Sequence, residues 1–498
     1  MKTLMINPPQ TFYPRSSLVS ESVPLGILYI AAVLERENYE VEILDTLIAD
    51  SCLRIEGDTR QYGLPWEKIA EEIDARKPSV VGITNPFTAQ IDNTVKTAEI
   101  VKAIDREIVT IVGGPHFSAI DLVQFLRNTP SVDIVVVGEG EYTMLDIVRH
   151  LDGDREMGSI DGIAYRKGNT AVVNHPRAFA PELDALPFPA YHLVDMGKYM
   201  DPKTVTYRGV RHGRDFPIIS SRGCPFNCVF CSIHLHMGKK WRAHSRDYVI
   251  AHIEHLVNKY GTEHLHFEDD NLTLDMRRFE GILDDLIAKN VPISWDTPNG
   301  IRADGLSIGI LRKMKATGCA HLTIGVESGD QWVLDHVIDK NLALDDVVNV
   351  AKMCKEVGIK LSAFYVIGFP GEKKENMQKT IEFALGLKRQ YNTGMHIFRA
   401  TPLCGTRLHE ICQDKGYLTD DLTPRALSEA TPYWGQGLIG TEDFTPEEVG
   451  RLASSAFSTY DRLLLIDHLR HPVDTVKAVM RHPRAVIPVL KSLARRSR

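Results

Sequence analysis

Three of the chain's eight cysteines fall within one short run, Ser220-Ser221-Arg222-Gly223-Cys224-Pro225-Phe226-Asn227-Cys228-Val229-Phe230-Cys231. Cysteine thiolates are the usual ligands of iron–sulfur clusters, and thiolates spaced x3 then x2 can wrap one face of a cubane. A four-iron cluster with three protein ligands keeps one iron open, so that a small molecule can bind it and accept an electron. Two other readings compete. A structural zinc site would recruit His234 or His236 as its fourth ligand, but zinc more often uses paired Cys-x2-Cys knuckles, and only one such step is present. A buried structural group of cysteines fits a loop rich in glycine and proline poorly. Cys224, Cys228 and Cys231 are therefore read as the ligands of one iron–sulfur cluster.

Thiols on a loop need rigid elements to gather them. The run follows an apolar strand candidate at 217–220, which opens a strand–helix alternation. Further strand candidates lie at 264–267, 293–296, 322–326, 361–367 and 395–399, with helical patterns at 248–260, 278–289, 308–316, 345–357 and 374–387 between them. Six units fall short of the eight of a complete barrel, so the pattern predicts an open, partial (β/α)6 barrel of TIM type over 211–415, with chemistry at the strands' carboxyl ends. Upstream, over 1–151, apolar runs at 3–6, 41–44, 80–83, 108–112 and 134–137 alternate with amphipathic helices. That predicts a parallel, doubly wound α/β domain with ligands at its carboxyl edge. Residues 152–210 are broken by glycines and by Leu186-Pro187-Phe188-Pro189, and are read as a linker with a short hairpin. Residues 416–498 read as a helical C-terminal region with a basic tail.

Composition narrows the classes. The 498 residues are 43% hydrophobic and 25% charged, as in ordinary globular chains. A net charge of −7 offers no basic field for nucleic acid. No apolar run is long enough to span a membrane and the first residues lack a secretory signal, so the expected location is the cytoplasm. In a reducing compartment the dispersed Cys52, Cys319, Cys354, Cys404 and Cys412 are mostly small core residues. The tail carries Arg470-His471-Pro472, Arg481-His482-Pro483, Lys491, Arg495, Arg496 and Arg498. It is read as a solvated helical end, with peripheral contact to a membrane as the alternative.

The cysteine spacing, with Phe230 before the last cysteine, resembles the cluster motif of the radical S-adenosylmethionine (SAM) superfamily. The resemblance continues downstream. Phe267-Glu268-Asp269-Asp270-Asn271 stands where the superfamily places groups for the SAM amino group. The run 324–329, with Glu327 and Ser328, looks like the motif that meets the ribose and methionyl carboxylate. Residues 366–372, with Ile367 and Gly368, resemble the motif beside the adenine. Residues 401–406 resemble a Pro-Gly-Thr segment, with Cys404 where a proline is usual. Arg302 is a further candidate for SAM, and a surface arginine is the competing reading. Taken singly these motifs have plain readings too: a solvated Asp269-Asp270 loop, or Glu327 capping the next helix. The resemblance implies a [4Fe-4S] cluster that cleaves SAM reductively to a 5′-deoxyadenosyl radical, with electrons from an external donor such as flavodoxin or ferredoxin.

No dinucleotide fingerprint follows the first strand, where Asn7-Pro8-Pro9-Gln10 stands instead. The segments at 7–9, 24–26, 81–84, 113–116 and 138–141 are similar to the cobalamin-binding domain at the front of many radical SAM enzymes. This similarity implies cobalamin contacts at Thr84, Gly113, Gly114, Gly138 and Glu139; plain turns are the competing reading of the glycines. The Asp-x-His-x-x-Gly loop that supplies a lower axial histidine is absent, since the first histidine is His116. Cobalamin would bind without that ligand; a vestigial domain is the alternative. The two-domain resemblance covers about residues 1–410, to class B radical SAM methyltransferases and also to the anaerobic Mg-protoporphyrin monomethyl ester cyclase type. It implies methylation of an unactivated carbon in a small-molecule or lipid-like substrate. Non-methylating oxidative cyclisation and a non-catalytic iron–sulfur or zinc protein are the alternatives.

Overall fold

The computed structural model describes residues 1–16, 22–49, 53–168, 170–200, 214–432 and 435–470, the side chains at 468 and 470 excepted. The first sheet is built on five parallel strands, β1 (Lys2–Asn7), β2 (Glu40–Asp45), β3 (Val80–Thr84), β4 (Val109–Gly113) and β5 (Ile134–Val136). Side chains alternate across a strand, and this sorts the apolar residues onto two faces. Leu4, Ile6, Val81, Ile83, Val112 and Val135 pack on one side with Ile69, Ile73, Ala98 and Val101 of helices α2 (Trp66–Arg76) and α3 (Ile91–Ile104). Met5, Val41, Ile43, Val80, Ile111 and Ile134 turn to the other, against α1 (Leu25–Arg36) and α5 (Glu141–Leu151). Helix α4 (Leu122–Asn128) begins at Asp121, whose side chain accepts from Gln124 N.

The hairpin expected within the linker does more than punctuate it. Its strands β6 (Ile163–Lys167) and β7 (Thr170–Val173) extend the first sheet antiparallel to β5, giving the order β7-β6-β5-β4-β3-β1-β2. A small sheet of Gln10–Phe12, Leu53–Glu56 and Thr59–Tyr62, not anticipated from the pattern, lies beside the segment after β3, where Thr11 N donates to Gln90 Oε1 at 2.8 Å.

The second sheet has six parallel strands in chain order, β8 (Asp215–Ile218), β9 (His264–Phe267), β10 (Ser294–Asp296), β11 (Cys319–Glu327), β12 (Lys360–Ile367) and β13 (Gly394–Arg399). Each helix between them starts or stops on local chemistry. Ser245 accepts from Tyr248 N at the start of α6 (Arg246–Tyr260), and Gly261 closes it in the left-handed conformation. Asp275 caps α7 (Met276–Lys289) in the same way. Helices α8 (Ile308–Ala316), α9 (Leu344–Val357) and α10 (Lys374–Tyr391) complete the outer layer, and α11 (Pro446–Arg470) packs on β13 and α10. Cys319, Cys354 and Cys412 are buried; Cys52 and the tail beyond residue 470 lie outside the described residues. Among the described residues no helix is long and apolar enough to cross a membrane.

On β9 and β10 the outward residues are apolar: the Phe267 ring meets Trp295 at 5.4 Å, and Trp295 meets Phe279 of α7 at 6.3 Å. The inner face is polar. His266 Nδ1 lies 2.7 Å from Asp296 Oδ1 and its Nε2 3.5 Å from Asp215 Oδ2. His264 bonds Ser294 Oγ at 2.7 Å, and His321 bonds Ser362 Oγ at 2.8 Å. Burial works against charging His266, but the two carboxylates overcome it and raise its pKa to about 9. A histidine raised in the folded state contributes stability that is full below its unfolded pKa, near 6.5, and is lost as pH climbs through 9. Denaturant midpoints are therefore expected to fall between pH 6.5 and 9.5 by an amount equivalent to up to about 3 kcal/mol. His266→Gln should flatten that slope; an unchanged slope would refute the assignment.

Candidate active site

The cysteine loop is a closed excursion. Its stems, Ser221–Arg222 and Arg242–Ala243, pair antiparallel immediately after β8. Gly223 sits at φ 83°, and a Cβ there would fall 2.6 Å from the Lys240 carbonyl, so only glycine fits. Asp269 is almost fully buried, and its carboxylate accepts from Ser220 N (2.9 Å), Ser220 Oγ (2.7 Å) and Ser221 Oγ (2.5 Å). Asp270 accepts from Gly223 N at 2.7 Å; burial pushes its pKa up to about 6. The two aspartates thus brace the base of the loop. Val229 N donates to Ile338 O at 2.9 Å, tying its middle to the segment after β11.

The three thiols are free and half-buried. Asn271 Nδ2 donates to Cys224 Sγ at 3.8 Å, and its own Oδ1 is buried without a partner. Burial raises the Cys228 thiol and pushes Cys231 up to about 12. Thiols so disfavoured as anions are held ionised by bound metal, which deprotonates a coordinating thiol outright. Three sulfurs on a braced loop fit a cluster with one open iron. Burial lowers the pKa of both His234 and His236, on the short helix Ile233–His236.

Around this loop the remaining candidates divide. The Phe230 ring lies 5.8 Å from Phe369, next to buried Ile367 and to Gly368 at φ 91°. The amides of Gly368 and Phe369 both donate to Glu372 Oε2, and burial pushes this fully buried carboxyl up to about 7. Arg302 stacks on Phe226 of the cysteine loop, 3.8 Å from the ring centroid, and donates to Asp304 and to the carbonyls of Lys340 and Asn341. Glu327 is held at φ 70° and accepts from Lys340 Nζ at 2.7 Å. Ser328 is fully buried and bonds Thr380 Oγ1 at 2.9 Å. Residues 338–341 therefore form a hub touching the cysteine loop, Arg302 and Glu327. Sequence reading missed that hub because the charged and polar residues Asp339, Lys340 and Asn341 stand in a run with no motif spacing.

On the first domain, Thr84 and Gly113 are paired neighbours and Gly113 pairs with Val136, so the candidate loops at the ends of β3, β4 and β5 share one edge. Gly114, at φ 125°, lets the backbone close on its neighbour: a Cβ there would lie 2.3 Å from Asn85 O. The Asn85 side chain is fully buried, and both its Oδ1 and Nδ2 lack partners. An orphaned amide at the carboxyl edge suits a cofactor rich in amides, as the corrin periphery is, and fits cobalamin. Burial pushes His116 down to about 4, so its ring, 3.3 Å from Thr88 Oγ1, is a neutral imidazole. The turn Pro115–Ser118 packs on Ile233–His236, so this edge adjoins the cysteine loop.

Comparisons with known proteins agree with this arrangement. The B12 binding domain family matches residues 15–148, and the Radical SAM superfamily matches residues 218–384. An uncharacterized methyltransferase of Pyrococcus horikoshii is 30% identical over 97% of both chains. The cytidylyl-2-hydroxyethylphosphonate methyltransferase of Streptomyces wedmorensis is 30% identical over 91% of this chain and 88% of its own. The anaerobic magnesium-protoporphyrin IX monomethyl ester cyclase of Rubrivivax gelatinosus is 27% identical over 75% of this chain and 63% of its own. Among solved structures, the radical SAM methyltransferase TsrM of Kitasatospora setae with cobalamin and a [4Fe-4S] cluster bound superposes with a TM-score of 0.65 at 17% identity, covering 91% of this chain and 84% of that one. Likeness at that identity speaks for the fold, while the cysteine loop, the two family matches and the full-length relatives speak for the chemistry: the chain belongs to the cobalamin-dependent radical SAM enzymes, whose cofactors are a [4Fe-4S] cluster, SAM and cobalamin.

Proposed function

We propose that the enzyme transfers a methyl group to an unactivated carbon of a polar small molecule. The observation that carries this is the packing of the Pro115–Ser118 turn on the Ile233–His236 helix, which sets the candidate cobalamin edge beside the cysteine loop. When bound, the cluster with SAM supplies a radical that removes hydrogen, and cobalamin supplies the methyl group. The chain's part is positioning and the exclusion of water. Phe230, Ile367 and Gly368 offer an apolar wall for the adenine, Asp270 a carboxylate for the SAM amino group, and Cys224, Cys228 and Cys231 the cluster ligands. Electrons come from an external donor, such as a flavodoxin or ferredoxin. Below the carboxyl ends the barrel's inner face is polar at the half-buried His266 and His321, which favours a polar substrate over an acyl chain.

The test is anaerobic: reconstituted enzyme, SAM, hydroxocobalamin and a strong reductant, with candidate polar substrates. Methyl transfer predicts S-adenosylhomocysteine together with 5′-deoxyadenosine and a substrate heavier by one methyl. The oxidative ring closure of the Rubrivivax relative, the second reading, predicts 5′-deoxyadenosine with a product that gains no carbon. A narrower expectation concerns Asn85. Asn85→Ala should weaken hydroxocobalamin retention about tenfold, the loss of roughly one hydrogen bond of the order of 1.4 kcal/mol. Equilibrium dialysis reads this, and unchanged affinity would remove Asn85 from the cobalamin site.

A further inference from the structure

Glu139, expected from the resemblance at the cobalamin, has both carboxylate oxygens engaged elsewhere. Oε1 accepts from Arg222 at 2.9 Å and from Arg242 at 2.8 Å. Oε2 accepts from Arg242 at 2.9 Å and from the Ala180 amide at 2.9 Å. Glu141 takes the other arm of Arg222 at 2.6 Å. Arg222 and Arg242 are the two stems of the cysteine loop, paired across their short ladder. One carboxylate of the first domain therefore grips both ends of the loop that carries Cys224, Cys228 and Cys231. Every side chain in the group is less than a tenth exposed. Two aromatic rings close it off: Tyr29 of α1 lies 5.4 Å from the Arg222 guanidinium and Phe179 lies 5.0 Å from that of Arg242.

A group of two arginines and two glutamates is neutral overall, and burying it is a poor way to gain stability, because desolvation offsets most of the attraction. What such a group does well is fix geometry. Arginine presents a rigid planar fork, so forked contacts to two carboxylates set orientation as well as distance. Gly138, just before Glu139, ends the loop after β5, and Gly223 and Cys224 directly follow Arg222. Glu139 thus ties the loop after β5 to both stems of the cysteine loop, with Glu141 holding Arg222 beside it.

We propose that Glu139 is a positioning residue: by clasping Arg222 and Arg242 it fixes the cysteine loop, and with it the cluster, relative to the cobalamin edge of the first domain. The proposal rests on the cobalamin-dependent radical reading, since it needs both cofactors. Its test measures them directly. Holoenzyme reduced to the paramagnetic cluster, with cob(II)alamin bound, has two spins whose dipolar coupling in pulsed electron paramagnetic resonance reports their separation. Wild type should give one narrow coupling. Glu139→Asp, too short to reach both stems, should lose it to a broad distribution while iron content and cobalamin stoichiometry stay at wild-type levels. Arg222→Lys, which keeps the charge but cannot hold Glu139 and Glu141 with separate nitrogens, should do the same and covers the case in which the Glu139 variant does not fold. Wild-type coupling in both variants would overturn the proposal. Loss of cobalamin from Glu139→Asp, with the cluster intact, would also overturn it, because it would make Glu139 a direct cobalamin contact. Wild-type enzyme that binds no cobalamin would instead refute the reading on which the proposal stands, and the proposal with it.

Discussion

Cys228→Ala is expected to reduce 5′-deoxyadenosine formation to the level of enzyme-free buffer, and to leave the purified protein without its cluster absorption and with little bound iron. The cost exceeds the roughly 10–100-fold that losing an outer hydrogen-bond partner of a metal ligand brings, because only two thiolates would remain for a cluster that already leaves one iron open. Asn271→Leu makes the useful contrast. It removes the donor to Cys224 Sγ while sparing all three ligands, so it should retain the cluster and shift its potential, hydrogen bonds to sulfur being one of the determinants of that potential. The fold should survive the Cys228 change: the contacts from Val229 N to Ile338 O and from Leu408 N to Val229 O are main-chain bonds that alanine leaves in place. Far-ultraviolet circular dichroism equal to wild type, alongside lost iron, is the expected pair of results. A variant that keeps its iron and cleaves SAM would show that the ligand set is misassigned.

The second large effect belongs to Asp269. Its carboxylate holds three donors from Ser220 and Ser221, and Arg278 Nη2 braces the same turn by donating to Ser220 O at 2.8 Å. Asp269→Ala strands the Ser220 amide in a buried site, and the hydroxyls must find other acceptors. Hydrogen bonds to a charged group contribute about 1.5–3 kcal/mol each, and an orphaned buried donor costs about 1–3 kcal/mol. Allowing for hydroxyls that reorient, the loss should be about 3–5 kcal/mol. Chemical denaturation reads it directly, and cluster assembly should fall in parallel because the stem of the cysteine loop is what comes loose. Asp269→Asn, which keeps the shape and one acceptor, should cost less. Equal stability of the alanine variant and wild type would refute the bracing role and return Asp269 to direct service of SAM.

The part of this enzyme legible in its sequence is the part that repeats or is locally spaced. Continuous apolar runs between amphipathic helices set both sheets, and cysteines separated by three and then two residues set the cluster loop. What stayed hidden is what depends on distant partners. Nothing in the Gly138-Glu139-Gly140-Glu141 run says that its first glutamate meets Arg222 and Arg242, which lie 83 and 103 positions away. Asn85 is one asparagine after an apolar strand until the structure leaves its amide without a partner. The hairpin at 163–173 was visible as a hairpin, but its joining the first sheet depends on an edge that pattern alone does not mark. Ser328 was legible as part of a motif, whereas its bond to Thr380 is a packing fact.

Of the apolar clusters, the one on the α1 side of the first sheet also fills the second sheet. One continuous cluster of buried residues runs from Met5, Leu28 and Tyr29 through Leu183, Leu186, Tyr191 and Tyr199 to Phe216, Leu265 and Trp295. A shared interior makes the halves cooperative, so heat or denaturant should melt them together. It also governs how such enzymes can be recombined. A chimera that grafts a foreign barrel onto this front half has to bring along residues 183–199 and the α1 face they cover, or the seam is left with holes where large side chains used to interlock. Shuffling at the level of loops above the six strands is the freer route to new specificity, because it leaves that seam intact.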